Sequence, residues 1–280
     1  MNASMSNNPT ELFRAGRLDE AVDAALSLVK ARPTEVELRY QLAEMACVAG
    51  QLDRADRQLD TVIQQFPRSA VGASLTRQLV RAELSRRECF QQGRVPDFLA
   101  APGERVELHI RAIASLREGD IGEAVDCLAE ATELEQPVAL SVDGRPVNAI
   151  RDLDDLLAPV LEVHTSTGKY FWVPWSQIVE LELHAPARPM DLIWRQATLS
   201  VADGPTGEVY LPAVYPNPTG EAQAESLRMG RSTDWLEVSS ALVRGQGQKM
   251  LLAGEEEVAF MELKSIASAD DDSADDDQDA

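Results

Sequence analysis

The sequence predicts an α+β protein: an N-terminal α-solenoid of helical hairpins followed by a smaller, mainly antiparallel, β-rich domain. Three observations predict it. The segment Ala15-Gly16-Arg17-Leu18-Asp19-Glu20-Ala21 returns 34 residues later as Ala49-Gly50-Gln51-Leu52-Asp53-Arg54-Ala55, and a looser copy, Glu118-Gly119-Asp120-Ile121-Gly122-Glu123-Ala124, follows after a further 69 residues. After Gln136 the helical periodicity gives way to short alternating runs broken by Gly, Pro and Asp. All four tryptophans, Trp172, Trp175, Trp194 and Trp235, lie in this second part.

A 34-residue period is that of tetratricopeptide (TPR) hairpins. Gly16, Gly50 and Gly119 then occupy the tight turns between antiparallel helices, where a positive φ costs glycine little. Ala21, Ala55 and Ala124 are small enough for close helix contact. Pro33 and Pro67, also 34 apart, end the second helix of each hairpin because proline lacks a donor and clashes with the preceding turn. The organisation that follows is a disordered N-terminus over 1–9, a TPR-like helical domain over 10–136, a β-rich domain over 137–264 and an acidic disordered tail over 265–280. The length suits two domains, each burying its own core.

Within the helical part, Leu18, Ala21, Val22, Ala25, Leu26 and Val29 share one face at the 3.6-residue period. Thr34, with Glu37 three residues on, is placed to cap the next helix over 34–48. Leu52, Ala55, Leu59, Val62, Ile63 and Phe66 form another stripe, and 69–91 reads as one long helix with its arginines off the apolar face. The Gly- and Pro-bearing stretch 92–103 interrupts the solenoid. Helices over 104–117 and 121–134 complete it, the latter with Ile121, Ala124, Val125, Leu128 and Ala129 as its stripe. In the second part, strands are expected over 138–142, 160–164, 169–173, 178–184, 197–201, 208–211, 249–252 and 258–263, with hairpin turns at 165–168, 203–207 and 254–256. A short helix is expected over 152–158.

The chain carries a net charge of −21. Residues 1–136 hold 16 basic and 22 acidic side chains, 137–269 hold 10 and 18, and 270–280 hold seven aspartates and no basic residue. Phosphate backbones would repel such a surface, so nucleic acid is not an expected partner. No run approaches the roughly 20 apolar residues of a bilayer span, so no membrane association is expected. The first nine residues lack an apolar signal core, and the expected location is the cytoplasm. Cys47, Cys89 and Cys127 fall in helical patterns and are expected as buried or half-buried thiols.

The three histidines, His109, His164 and His184, are isolated, and no His or Cys pair has metal-ligand spacing. There is no phosphate loop, dinucleotide-binding glycine pattern or nucleophile elbow. No catalytic signature, metal site or cofactor is therefore expected. What stands out are aromatic and charged clusters in the β part: Trp172-Val-Pro-Trp175, Asp191-Leu-Ile-Trp194-Arg195, Glu208-Val-Tyr210-Leu-Pro212 with Tyr215, and Gly230-Arg231-Ser-Thr-Asp234-Trp235. Either the tryptophans fill the core and the charges pair at its edge, or the set forms a partner-binding face, because Trp, Tyr and Arg are favoured interface anchors. The second reading takes Asp191, Trp194, Arg195, Tyr210, Tyr215, Arg231, Asp234 and Trp235 as candidate partner-binding residues.

These clusters, with the later Gly247-Gln248, resemble those of the ImpE, or SciE-type (TagJ), proteins, accessory components of bacterial type VI secretion. The resemblance runs from the Leu18-Asp-Glu-Ala21 hairpin to about Leu263, leaving the acidic tail outside. It implies a TPR-like N-terminal half, a smaller β-rich C-terminal half and a non-enzymatic cytoplasmic adaptor. The partner it implies is the small sheath subunit (TssB-like), bound through that subunit's N-terminal helical segment, with a link to the ClpV ATPase that recycles contracted sheath. Two other classes stand beside this one. One is an enzyme with a site around Asp191, Arg195 and Asp234. The other is a general peptide-binding or chaperone-like TPR module, against which the acidic solenoid counts, because such modules hold peptide carboxylates in basic grooves.

Overall fold

The computed structural model describes residues 8–217 and 222–269. Seven helices form the N-terminal half: α1 (Pro9–Arg14), α2 (Leu18–Ala31), α3 (Val36–Val48), α4 (Leu52–Gln65), α5 (Ala70–Gln92), α6 (Glu104–Glu118) and α7 (Ile121–Glu133). The repeat does what its glycines require. Gly16, Gly50 and Gly119 all take positive φ, at 83°, 73° and 85°, in the α1–α2, α3–α4 and α6–α7 turns. Ala21, Ala55 and Ala124 are fully buried at the helix crossings. Helices α2 and α4 stop just short of Pro33 and Pro67.

The first helix begins earlier than expected. Pro9 is its buried first residue and Asn8 caps it, its Oδ1 accepting from Thr10 N at 2.9 Å. The expected disorder over 1–7 lies outside the described residues. Thr34 does not cap α3. That helix starts at Val36 without a side-chain cap, because the preceding turn closes on itself through Glu35 N to Arg32 O, and the Arg39 guanidinium takes the Pro33 carbonyl. The stripe of α7 is two residues narrower than expected, since Ile121 at its start and Ala129 remain exposed.

The C-terminal half contains an eight-stranded sheet, in which the observed pairs are antiparallel, in the order β2 (Arg145–Val147), β1 (Leu140–Val142), β13 (Ser265–Ser268), β6 (Ile178–Leu183), β7 (Trp194–Val201), β8 (Thr206–Pro212), β4 (Val160–Thr165) and β5 (Tyr170–Pro174). A three-stranded sheet joins β3 (Ile150–Asp152), β11 (Met250–Ala253) and β12 (Glu256–Ala259), and a ribbon pairs β9 (Thr233–Ser239) with β10 (Leu242–Gly247). A short helix, α8 (Glu225–Arg228), docks on the start of α2. Glu225 Oε1 accepts from Asp19 N at 2.7 Å, and Arg228 pairs with the Asp19 carboxylate at 2.7 and 2.9 Å.

Three sequence expectations are corrected. No helix forms over 152–158: Asp152 ends β3, and the Asp152 and Asp154 carboxylates accept from the backbone N of Asp154 and Leu156. Such local side-chain turns compete with a helix. The tail does not begin at 265, because β13 lies inside the large sheet between β1 and β6, with Ile266 fully buried. Residues 270–280 lie outside the described residues. Strands β9 and β10 were not expected, since Gly245 and Gly247 and scattered charge blur their alternation.

The two halves do not bury separate cores. One cluster joins Leu18, Leu42 and Leu79 of the helices to Met190, Ile193, Trp194 and Tyr210 of the β half. Another joins Ala112, Cys127 and Leu128 to Leu157, Tyr170 and Trp172. The large sheet keeps a third core, built on Leu181, Leu199, Leu211 and Ile266. The contact between solenoid and sheet is therefore core, which fixes every cleft between them.

Candidate functional site

A cleft of about 510 Å³ opens where α3 and α5 face the β half. Val48, Ala49, Arg87 and Phe90 line its helical side, and Ile193, Trp194, Val214 and Tyr215 line the other. Glu83 and Arg86 of α5 reach its base.

Arg86 is the side chain on which the base is built. Its Nε and Nη2 donate to the two Glu162 oxygens at 2.7 and 2.8 Å, and Nη2 also donates to Val214 O at 3.0 Å. Lys249 Nζ then bridges Glu162 (2.8 Å) and Asp152 (2.7 Å). Tyr170 donates its hydroxyl proton to Glu162 and accepts from Trp172 Nε1. Arg86, Glu162, Asp152 and Lys249 are each at most 3% exposed. Burial alone would neutralise Glu162, but Arg86 and Lys249 hold its carboxyl well below the usual carboxylate range. Burial likewise opposes the charge on Lys249, and Asp152 and Glu162 overcome it. A second pair, Asp154 with Arg244 at 2.8 Å, extends the network, and the Arg244 guanidinium lies 5.6 Å from the centre of the Phe90 ring.

His164 lies against this network, fully buried, edge-on to Tyr170 and Trp194 at 5.8 and 6.0 Å between centroids. Its Nε2 is 3.7 Å from Glu83 Oε2, and burial lowers its pKa to about 4, so the ring is neutral near pH 7. Cys47 lines the cleft, but burial pushes its thiol far above the range of a thiolate nucleophile. No group of three or more His, Cys, Asp or Glu among the described residues could hold a metal ion. Chemically, the arrangement offers a rigid recess whose walls mix apolar side chains with charged and polar ones such as Asp19, Arg87, Gln91 and Arg228, suited to holding an amphipathic surface.

The eight candidate partner-binding residues do not form one face. Asp191 is buried and caps a turn, its Oδ2 accepting from Ala187 N and Arg188 N, both at 2.9 Å. Arg195 is buried and donates to His184 O and Phe260 O. Tyr210 is buried in the core shared with the helices. Trp194 and Tyr215 are also buried, yet both border the cleft. Arg231 is exposed and donates to Arg14 O and Phe13 O, closing the C-terminal end of α1. Asp234 is exposed and accepts from Trp235 N. Trp235, 42% exposed, is the one tryptophan outside the core, and its ring stands 5.9 Å from that of Tyr215. Trp172, Trp175 and Trp194 are core residues.

Sequence reasoning missed the Arg86 network, although two signals point to it. Leu79, Ala82, Arg86 and Cys89 follow the helical period, so Arg86 stands where the buried face requires an apolar residue. Glu162 interrupts the apolar run of β4, whose burial pattern continues through it. A charge in a buried phase requires a partner.

The chain resembles known proteins along most of its length. It is 32% identical over 268 residues to the type VI secretion system accessory component TagJ of Pseudomonas aeruginosa, an alignment spanning 95% of this chain and 92% of that one. It belongs to the ImpE family. The ImpE protein profile matches residues 144–267, and a tetratricopeptide repeat profile matches 12–79. A crystal structure of a Vibrio parahaemolyticus protein superposes with a TM-score of 0.86 at 26% identity, covering 93% of this chain and 97% of the other. The ImpE match therefore spans the β half from β2 into β13, leaving out β1, and the repeat match spans α1 to mid-α5. The cleft of this ImpE-family chain lies between the two matched parts, its α5 wall from Glu83 to Gln91 falling outside both. Among the described residues, no helix is long and apolar enough to cross a membrane.

Proposed function

We propose that this chain is a non-enzymatic adaptor of type VI secretion. It binds the N-terminal helical segment of the small, TssB-like sheath subunit in the cleft between α3, α5 and the β half, and so modulates sheath recycling by the ClpV ATPase. Near-full-length similarity to an accessory component of that system carries this reading. The cleft supports it: its volume falls within the ~300–1,000 Å³ of ordinary ligand clefts. The apolar part of its lining, Val48, Phe90, Ile193, Trp194 and Val214, suits the i, i+3, i+4 anchors of an amphipathic helix, and its charged rim suits that helix's polar face. The paired charges at its base leave no net charge that must be neutralised on binding.

The test is affinity capture of the tagged full chain from a bacterium carrying a type VI cluster. The small sheath subunit in the eluate is the expected result. A mixture of unrelated unfolded proteins instead would favour a chaperone-like module, and an eluate free of sheath protein would count against the adaptor.

A further inference from the structure

On the outer side of α5, separated from the interdomain cleft by Gly50 and Arg87, lies a second recess of about 370 Å³. Its lining includes Leu52, Asp53, Arg54 and Arg57 from α4 and Leu84 and Arg87 from α5. In a chain with 47 acidic and 26 basic side chains, three of the four charged residues here are arginines. Arg87 reaches Glu83 Oε1 at 3.2 Å and Gly50 O at 3.3 Å. Arg54 and Arg57 have no carboxylate partner among the described residues, whereas Arg77 of α5 takes two from α4, Asp56 and Asp60. Leu84 stands among them 39% exposed, one of few large apolar side chains on the surface of the described residues.

We infer that this recess is a docking site for an acidic peptide segment that presents carboxylates beside an apolar side chain. It is a second surface, distinct from the cleft proposed for the sheath segment. Arg54 and Arg57 would take the carboxylates, for which guanidinium groups offer paired donors. Leu84 would cover the apolar side chain. The overall negative charge does not prevent this, because at physiological ionic strength charges beyond about 8 Å are screened, whereas both guanidinium groups would touch the ligand. The contact adds selectivity: a basic segment would meet unpaired arginines.

The experiment is a fluorescence-anisotropy titration of the full chain with a labelled twelve-residue peptide of repeating Glu-Glu-Leu. The control replaces every Glu by Gln. The Glu peptide should bind, weakening as salt rises, and the Gln peptide should bind at least tenfold more weakly. Arg54→Glu combined with Arg57→Glu should weaken the Glu peptide at least tenfold at an unchanged melting temperature. Arg57→Glu alone, at an exposed position, gives a smaller loss in the same direction should the double variant unfold. Absence of binding by the Glu peptide, equal binding of both peptides, or undiminished binding by the folded variants overturns the inference.

Discussion

Arg86 of α5 and Glu162 of β4 form a two-bond fork inside the molecule, at 2.7 and 2.8 Å, with each residue 1% exposed. The fork crosses from solenoid to sheet, so it ties the two walls of the cleft. Removing one partner of a buried pair leaves an uncompensated charge and costs about 3–5 kcal/mol. Arg86→Met should therefore lower unfolding stability by that amount in denaturant titration. Arg86→Met with Glu162→Gln should recover part of the loss, because no new orphan charge remains. A loss below about 1 kcal/mol in the single variant would show that the fork does not hold the halves together.

Tyr215 owes its position to Gly245. A Cβ on Gly245 would stand 2.2 Å from Tyr215 Cε2 and 2.3 Å from Cδ2, so the ring lies directly on the β10 backbone. The hydroxyl, bonded to Met250 N and O at 3.0 Å each, cannot follow a displaced ring. Gly245→Ala should cost about 1–3 kcal/mol by overpacking. Gly245→Ala with Tyr215→Ala should cost less than the sum of the two single changes, since the clash disappears with the ring. Strict additivity in a double-mutant cycle would contradict this account.

The C-terminal boundary can be tested by truncation. Stopping after Ala269 removes seven aspartates and none of the observed strand pairs. Stopping after Lys264 removes β13 from between β1 and β6 and empties the site of fully buried Ile266. The first form should melt within a few degrees of the full chain. The second should not yield a cooperatively folded protein. Equal stability of the two would mean that β13 does not hold the sheet.

Two histidines make stability depend on pH. His109, whose Nδ1 donates to Leu156 O at 3.2 Å, and His164, facing Glu83, Arg86 and Glu162, are both held near a pKa of about 4, chiefly by burial. A base whose folded pKa lies below its unfolded value binds fewer protons when folded. Its contribution is present in full above about pH 6.5 and is lost as pH falls toward 4. Each histidine should therefore cost about 2 kcal/mol by pH 5, read as a fall in the urea midpoint between pH 7.5 and 5. A flat profile over that range would mean that neither ring is buried neutral.

The repeat made most of the solenoid legible, because a 34-residue period fixes turn glycines, crossing alanines and terminating prolines at once. The β half was legible where alternation was clean, as in β6 with its apolar and acidic alternation, and where apolar runs flank a hairpin turn, as in β4 and β5. It was obscured where a strand carries glycines under a ring, as β10 does at Gly245, whereas β4, buried on both faces, was still legible as an apolar run. The candidate site was half legible. Trp194 and Tyr215 were picked out and do border the cleft, but as core residues seen edge-on. The helical wall and the Arg86 network are long-range products of packing α5 on β4. The sequence signals this only by a charge in an apolar phase and cannot name its partner 76 residues away.

The central claim is that the cleft between α5 and the β half receives the sheath segment. Its most direct test is calorimetric titration of the full chain, and of Gln91→Trp, with a peptide copying the N-terminal segment of the small sheath subunit. Gln91 is exposed and lines the cleft, so a Trp there obstructs it without entering the core. The account predicts saturable binding to the unaltered chain and at least tenfold weaker binding to Gln91→Trp at an unchanged melting temperature. No heat and no competition at high micromolar peptide, or equal affinity in both proteins, would contradict it.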